Sequence, residues 1–178
     1  MASSYSKKAP APQTIEFTLT PVNNAVTFRV RAQSMVVDRG DGSTDIYFNL
    51  DFTEVSHTYA DNTEHNVRIQ SEELSHFGCN GELLTVLNVS NCPTLTELWC
   101  TDNQLSELDF SSNMALTQLF CSDNQLSTVA LDDIFTDLLD QSNMEGFASV
   151  SIGNNPGTET CNRGIAAAKK WYVNDDFY

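Results

Sequence analysis

From Leu74 onward the apolar positions return at a fixed step. Cys79, Cys100 and Cys121 are spaced by 21, and so are Leu84, Leu105 and Leu126. Leu74, Leu95 and Leu116 keep the same step, as do Leu87, Leu108 and Val129, and Val89, Phe110 and Leu131. The octets LWCTDNQL, from Leu98, and LFCSDNQL, from Leu119, show the copy most plainly. A fixed period of this size predicts stacked units. In each L-x-C or L-x-F stretch alternate residues face inward, which predicts a short strand. The Asn that follows, at Asn103, Asn113, Asn124 and again Asn155, predicts a turn whose side-chain amide satisfies backbone groups. The pattern runs twice per period, over 95–105 and 105–116, and so predicts two parallel ladders facing each other across a thin apolar core.

After Leu131 the step breaks. Leu131, Ile134, Phe135, Leu138 and Leu139 lie at i, i+3, i+4, i+7 and i+8, which predicts an amphipathic helix over about 131–141 with Asp132 and Asp133 near its N-terminus. Val150, Ile152 and Asn155 restore the repeat. TETCNRGIAAAKK predicts a second helix over about 159–170, with Lys169 and Lys170 in its last turn, and WYV a closing strand. Residues 14–71 follow a different rhythm. TIEFTLT, AVTFRVRA, MVVD, DIYFNLDF, VSHTYA and HNVRIQ are short and alternating, and Asn23–Asn24 and the turn from Gly40 to Ser43 separate them. They predict a small antiparallel sandwich. Residues 1–13 read as a flexible lead-in.

LTELWCTDNQL and LSELDFSSNMAL both spell L-x-x-L-x-hydrophobic-x-x-N-x-(x)-L, the leucine-rich-repeat signature. The segment resembles the short, 21-residue leucine-rich repeats of surface proteins from Bacteroides-type bacteria. GNNPGTETCNRGIAAAKKW resembles the terminal segment of the same proteins, and Glu82 and Cys92 mark an atypical first coil where Asn is expected. VVDRGDGSTD followed by SHTYADNTEHNVRI resembles a polycystic-kidney-disease-type (PKD-like) domain, with Arg39 where an aromatic is usual. The expected fold is therefore β-rich: a PKD-like, immunoglobulin-type sandwich over 14–71, then a leucine-rich-repeat solenoid over 72–178 with a helical C-terminal cap. The resemblance implies an extracellular or cell-surface protein whose export signal is not in this chain. Composition alone is equally compatible with the cytoplasm.

Charge narrows the partners. The net charge is −15. Residues 1–71 hold six of the nine lysines and arginines against eight acids, so nearly all of the excess falls on residues 72–178, where only Arg163, Lys169 and Lys170 are basic. An acidic surface repels phosphate backbones and anionic lipid, which excludes nucleic acid as a partner. No apolar run approaches the roughly 18 residues that a membrane span needs, so direct membrane insertion is not expected.

The candidate chemistry is sparse. No nucleophile elbow, zinc-protease or phosphate-loop motif occurs, no cofactor is implied, and an enzyme is not expected. The three repeat cysteines form an inward column whose neighbours stand about 4.8 Å apart, too far and too parallel for disulfides or a shared zinc, so they read as packing. Asp38, Asp41 and Asp45 surround a loop that a calcium ion could use. Gly-Asp-Gly makes a hairpin turn there without one. His57 is expected to orient that hairpin. On the outward side of the ladder Trp99 and Phe120 share one column, with Asp102 and Asp123 as a polar rim and Glu97 and Gln118 beside them. Aromatic rings next to carboxylates suit sugar rings or peptide side chains, and adjacent aromatics also stabilise a sheet by themselves. The expected function is a protein- or glycan-binding, adhesive module of a bacterial surface. The alternative is a structural spacer without a ligand of its own.

Overall fold

The computed structural model describes residues 11–21, 24–143 and 146–175. Of the lead-in expected over 1–13, residues 1–10 lie outside the described residues, as does Asn23 of the expected turn. Among the described residues ten strands and two helices follow in chain order. They are β1 (Gln13–Leu19), β2 (Ala25–Asp38), β3 (Thr44–Thr58), β4 (His65–Ser71), β5 (Leu74–Gly78), β6 (Val86–Asn91), β7 (Glu97–Trp99), β8 (Gln118–Phe120), α1 (Thr128–Asp137), β9 (Ala148–Ser151), α2 (Arg163–Ala168) and β10 (Trp171–Asn174).

All ten strands belong to one mixed sheet, ordered β10-β9-β8-β7-β5-β2-β4-β1-β6, with β3 on the remaining edge of β2. This corrects the expected architecture. The chain does not form a sandwich followed by a leucine-rich-repeat solenoid with a helical cap. Two pairings join its halves into one sheet: β5 runs antiparallel to β2, with Phe77 opposite Val30, and β6 runs antiparallel to β1, with Leu87 opposite Phe17. The second expected ladder is missing for a local reason. At Asp109 the carboxylate accepts from the backbone N–H and hydroxyl of Ser111, while the N–H of Phe110 turns to Asp137. Those groups are spent on a turn, and residues 105–116 contain no strand.

The core is continuous across the junction. Phe17 of β1, Phe28 of β2 and Phe77 of β5 meet with ring centroids 5.9–6.1 Å apart. Beyond them Leu98, Leu119 and Val150 carry the apolar row along the parallel strands, all fully buried. Cys79, Cys92, Cys100 and Cys121 are buried free thiols, and burial pushes Cys92 and Cys121 up to about 12.

The helices begin where side chains cap them. Ser127 accepts from the N–H of Ala130, so α1 opens at Thr128, earlier than expected, and Asp132 and Asp133 fall outside its first turn. Asn162 accepts from Gly164 N–H and opens α2 at Arg163. Lys169 lies past the last turn of α2 rather than within it. Its ammonium donates to the carbonyls of Thr136 and Leu138, at the C-terminal end of α1.

Candidate functional site

The parallel strands set three rows in strict register. His76, Glu97, Gln118, Ser149 and Tyr172 lie opposite one another, and so do Phe77, Leu98, Leu119, Val150 and Val173, and Gly78, Trp99, Phe120, Ser151 and Asn174. Side chains alternate across a strand, so the middle row points into the core and the two flanking rows point away from it. The turns that follow β7, β8 and β9 are each fixed by an Asn. The Asn103 amide donates to the carbonyls of Cys79, Cys100 and Thr101, and its oxygen accepts from the N–H groups of Glu82 and Leu84. Asn124 and Asn155 repeat the scheme one strand further each time, donating back to Cys100 and Cys121. These side chains tie each turn to its predecessor and hold the outward rows level.

Trp99 is half-buried. Its indole lies over Gly78, where an added Cβ would come within 3.5 Å of the Trp99 Cβ and 3.8 Å of Cε3. The ring meets Phe120 edge-to-face, with centroids 5.8 Å apart and planes at 85°. On its other side it meets Phe52 at 5.3 Å and 67°. Phe52 comes from β3. Between Val30 and Ala32 the β2–β3 register shifts, so Asp51 and Phe52 together face Arg31, and Phe52 adopts φ 54°. This bulge swings the ring over β5 and β7, and the guanidinium of Arg31 stacks 5.4 Å from its centroid.

A polar chain fixes the tryptophan. Its Nε1–H donates to Glu97 Oε1 at 2.6 Å, and Glu97 Oε2 lies 2.7 Å from His76 Nε2. The other ring nitrogen of His76 is 3.0 Å from Ser75 Oγ, so the network assigns the proton to Nε2 and makes the hydroxyl the donor to Nδ1. Burial lowers the pKa of His76 more than the Glu97 charge raises it, so the imidazole is neutral at pH 7. Gln118 is engaged at both ends, donating to the carbonyl of Phe147 and accepting from Ser149 Oγ.

Sequence reasoning placed Asp102 and Asp123 as a rim to the aromatics. They sit in the turns that follow β7 and β8, exposed, with φ 57° and 56°. Gly81 and Asn154 hold the same place in the neighbouring turns with φ 74° and 58°. The signal was present: Gly81, Asp102, Asp123 and Asn154 are all residue types that tolerate the left-handed region. Asp123 further accepts from Asn154 Nδ2 at 2.8 Å. Ser151, although in the same row as Trp99 and Phe120, is fully buried, and its hydroxyl is 2.7 Å from that of Ser122. Phe52 was missed altogether, since it lies outside the repeat and a strict alternation would have grouped it with Leu50.

The three aspartates near the Gly40–Ser43 turn are drawn into separate bonds. Asp38 accepts from Gly40 N–H, and Asp41 accepts from Ser43 N–H and Oγ–H. These Ser43 bonds, with His57 Nε2 at 2.7 Å, hold the Asp41 carboxyl well below the usual range. Asp45 pairs with Arg39 at 2.8 Å, and Arg39 is only 1% exposed, its guanidinium also donating to Tyr47. A cation thus already sits beside Asp45. Among the described residues no three His, Cys, Asp or Glu side chains are grouped to hold a metal ion.

Several clefts open among the described residues. One of about 400 Å³ opens beside Trp99, lined by Thr27, Arg29, Glu54, Asn80 and Glu82. There burial pushes Glu82 up to about 7, although its Oε1 accepts from Thr27 N–H. Another, of about 600 Å³, is walled by Glu107, Asp109, Asp133 and Asp137. No helix of the described residues is long and apolar enough to cross a membrane. No family model, curated protein or solved structure matches this chain.

Proposed function

We propose that the chain is a non-enzymatic binding module whose ligand, a protein or a carbohydrate, docks on the outward face around Trp99 and Phe120. The observation that carries this is the edge-to-face series Phe52–Trp99–Phe120, drawn from three different strands and locked at its centre by Glu97 and His76. Interlocked rings offer a preorganised apolar surface, and little rotamer entropy is lost when a ligand settles on them. The resemblance of the repeats to bacterial surface proteins supports adhesion at a cell surface as the setting.

Glycan and peptide arrays test this, probed with the wild-type protein and with Trp99→Ala and Phe120→Ala. Loss of one stacked aromatic contact is expected to weaken a genuine hit about tenfold or more. A hit that both variants bind unchanged overturns the assignment of the face. Silence on both arrays overturns the binding role and favours a structural spacer.

A further inference from the structure

The outward face does not end at Phe120. Two strands further on, Tyr172 of β10 stands in register with Ser149, and its ring lies 5.8 Å from that of Phe147. Tyr172 is 58% exposed and Phe147 66% exposed, so the two rings form one paired apolar patch open to solvent. Aromatic surface therefore occurs at both ends of the ladder, with Phe52 and Trp99 over β5 and β7 and Phe147 and Tyr172 by β9 and β10. Gln118 and Ser149 form the polar stretch between them. From β5 to β10 there are four strand spacings, so the surface runs about 19 Å across the strands.

We infer that this face is a track for a neutral polysaccharide, lying across the strands with sugar rings on the aromatics at both ends. The inference rests on the binding role proposed above and names its ligand class. Three observations select that class. Apart from Phe52, the track is built from residues 72–178, which carry most of the net charge of −15, and this disfavours acidic glycans and nucleic acid. The backbone N–H and C=O groups under the track are already spent in the parallel ladder, so an extended peptide would find no partners for its own backbone on this face. A sugar polymer has the opposite layout. Its apolar ring faces can rest on aromatic rings while the hydroxyls at its edges reach the partly exposed side chains of Glu97 and Gln118.

The test is a length series. Manno-, cello-, laminari-, malto- and chito-oligosaccharides, each from monomer to hexamer, are titrated by calorimetry into wild-type protein, Tyr172→Ala, Phe147→Ala and Trp99→Ala. Both exposed rings can be removed without disturbing the core, and unchanged melting temperatures verify this. In the series that binds, affinity is expected to climb with each added unit. Tyr172→Ala and Phe147→Ala should cost about tenfold for the longest members and nothing for the shortest, while Trp99→Ala weakens all of them. Length-independent affinity, or long oligomers held unchanged by both end variants, overturns the track but leaves a binding site at Trp99. No binding in any series by a protein that takes a peptide ligand overturns the carbohydrate class alone. No binding of either kind overturns both.

Discussion

At Asn103 one buried amide meets five backbone groups from two successive turns. Alanine there would strand several of them in a site that water does not reach. Asn103→Ala is expected to lose about 3 kcal/mol, read from the shift of a urea midpoint. Asn103→Asp is expected to lose a similar amount, because a carboxylate cannot donate to the carbonyls of Cys79 and Cys100. Glu82 occupies the Asn103 position one repeat earlier and does something different: its carboxylate accepts from Thr27 on β2. Its pKa is raised from 4.5 to about 7, so the folded protein favours the protonated form. The resulting stabilisation is complete below pH 4.5 and is lost as the pH rises through 7. Glu82→Gln keeps the acceptor and removes the ionisation. Its melting temperature is expected to exceed that of the wild type at pH 8 and to match it at acid pH. The advantage should be on the order of 1–2 kcal/mol, since solvent screens part of the carboxylate's cost.

At the scale of elements, only the stretches ending in Cys79, Cys100 and Cys121 become neighbours in a parallel ladder, where the 21-residue step returns each to the same register, whereas the columns Leu87, Leu108, Val129 and Val89, Phe110, Leu131 form none. The partners of the first and last strands left no such trace. The pairing of β5 with β2, and the bulge that turns Phe52 outward, depend on contacts made by residues far apart in the chain, and alternation alone cannot report a bulge. Half of the aromatic surface was therefore visible in advance as the Trp99–Phe120 column, and half was not. Helix starts were misplaced because Ser127 and Asn162 are caps lying outside the apolar pattern. Gly157 is another such position. An added Cβ would come 2.3 Å from the N of Thr128 and 2.4 Å from the carbonyl carbon of Ser127, at the start of α1. Gly157→Ala is expected to cost about 2 kcal/mol or more, because backbone rather than a flexible side chain must move. Thermal unfolding of the variant checks this.

For the whole molecule, the shared sheet makes the two halves dependent on each other. Phe77 packs against Phe17 and Phe28, Leu87 stands opposite Phe17, and the Cys92 thiol donates to the carbonyl of Thr14. Residues 72–178 on their own would expose all of this surface. The fragment is expected to show no cooperative melting, whereas the full chain unfolds in urea as one transition by tryptophan fluorescence and by far-ultraviolet dichroism. The binding face depends on the same union, because Phe52 comes from one half and Trp99 from the other. The most direct measurement is therefore a nuclear Overhauser spectrum of the full chain in solution. Cross-peaks between the Phe52 ring protons and the Trp99 indole are expected, and Trp99→Ala should remove the ring-current shift from Phe52. A spectrum in which Phe77 and Leu98 keep their contacts across β5 and β7, yet Phe52 shows none to Trp99, would contradict both the joined sheet's outward face and the site built on it.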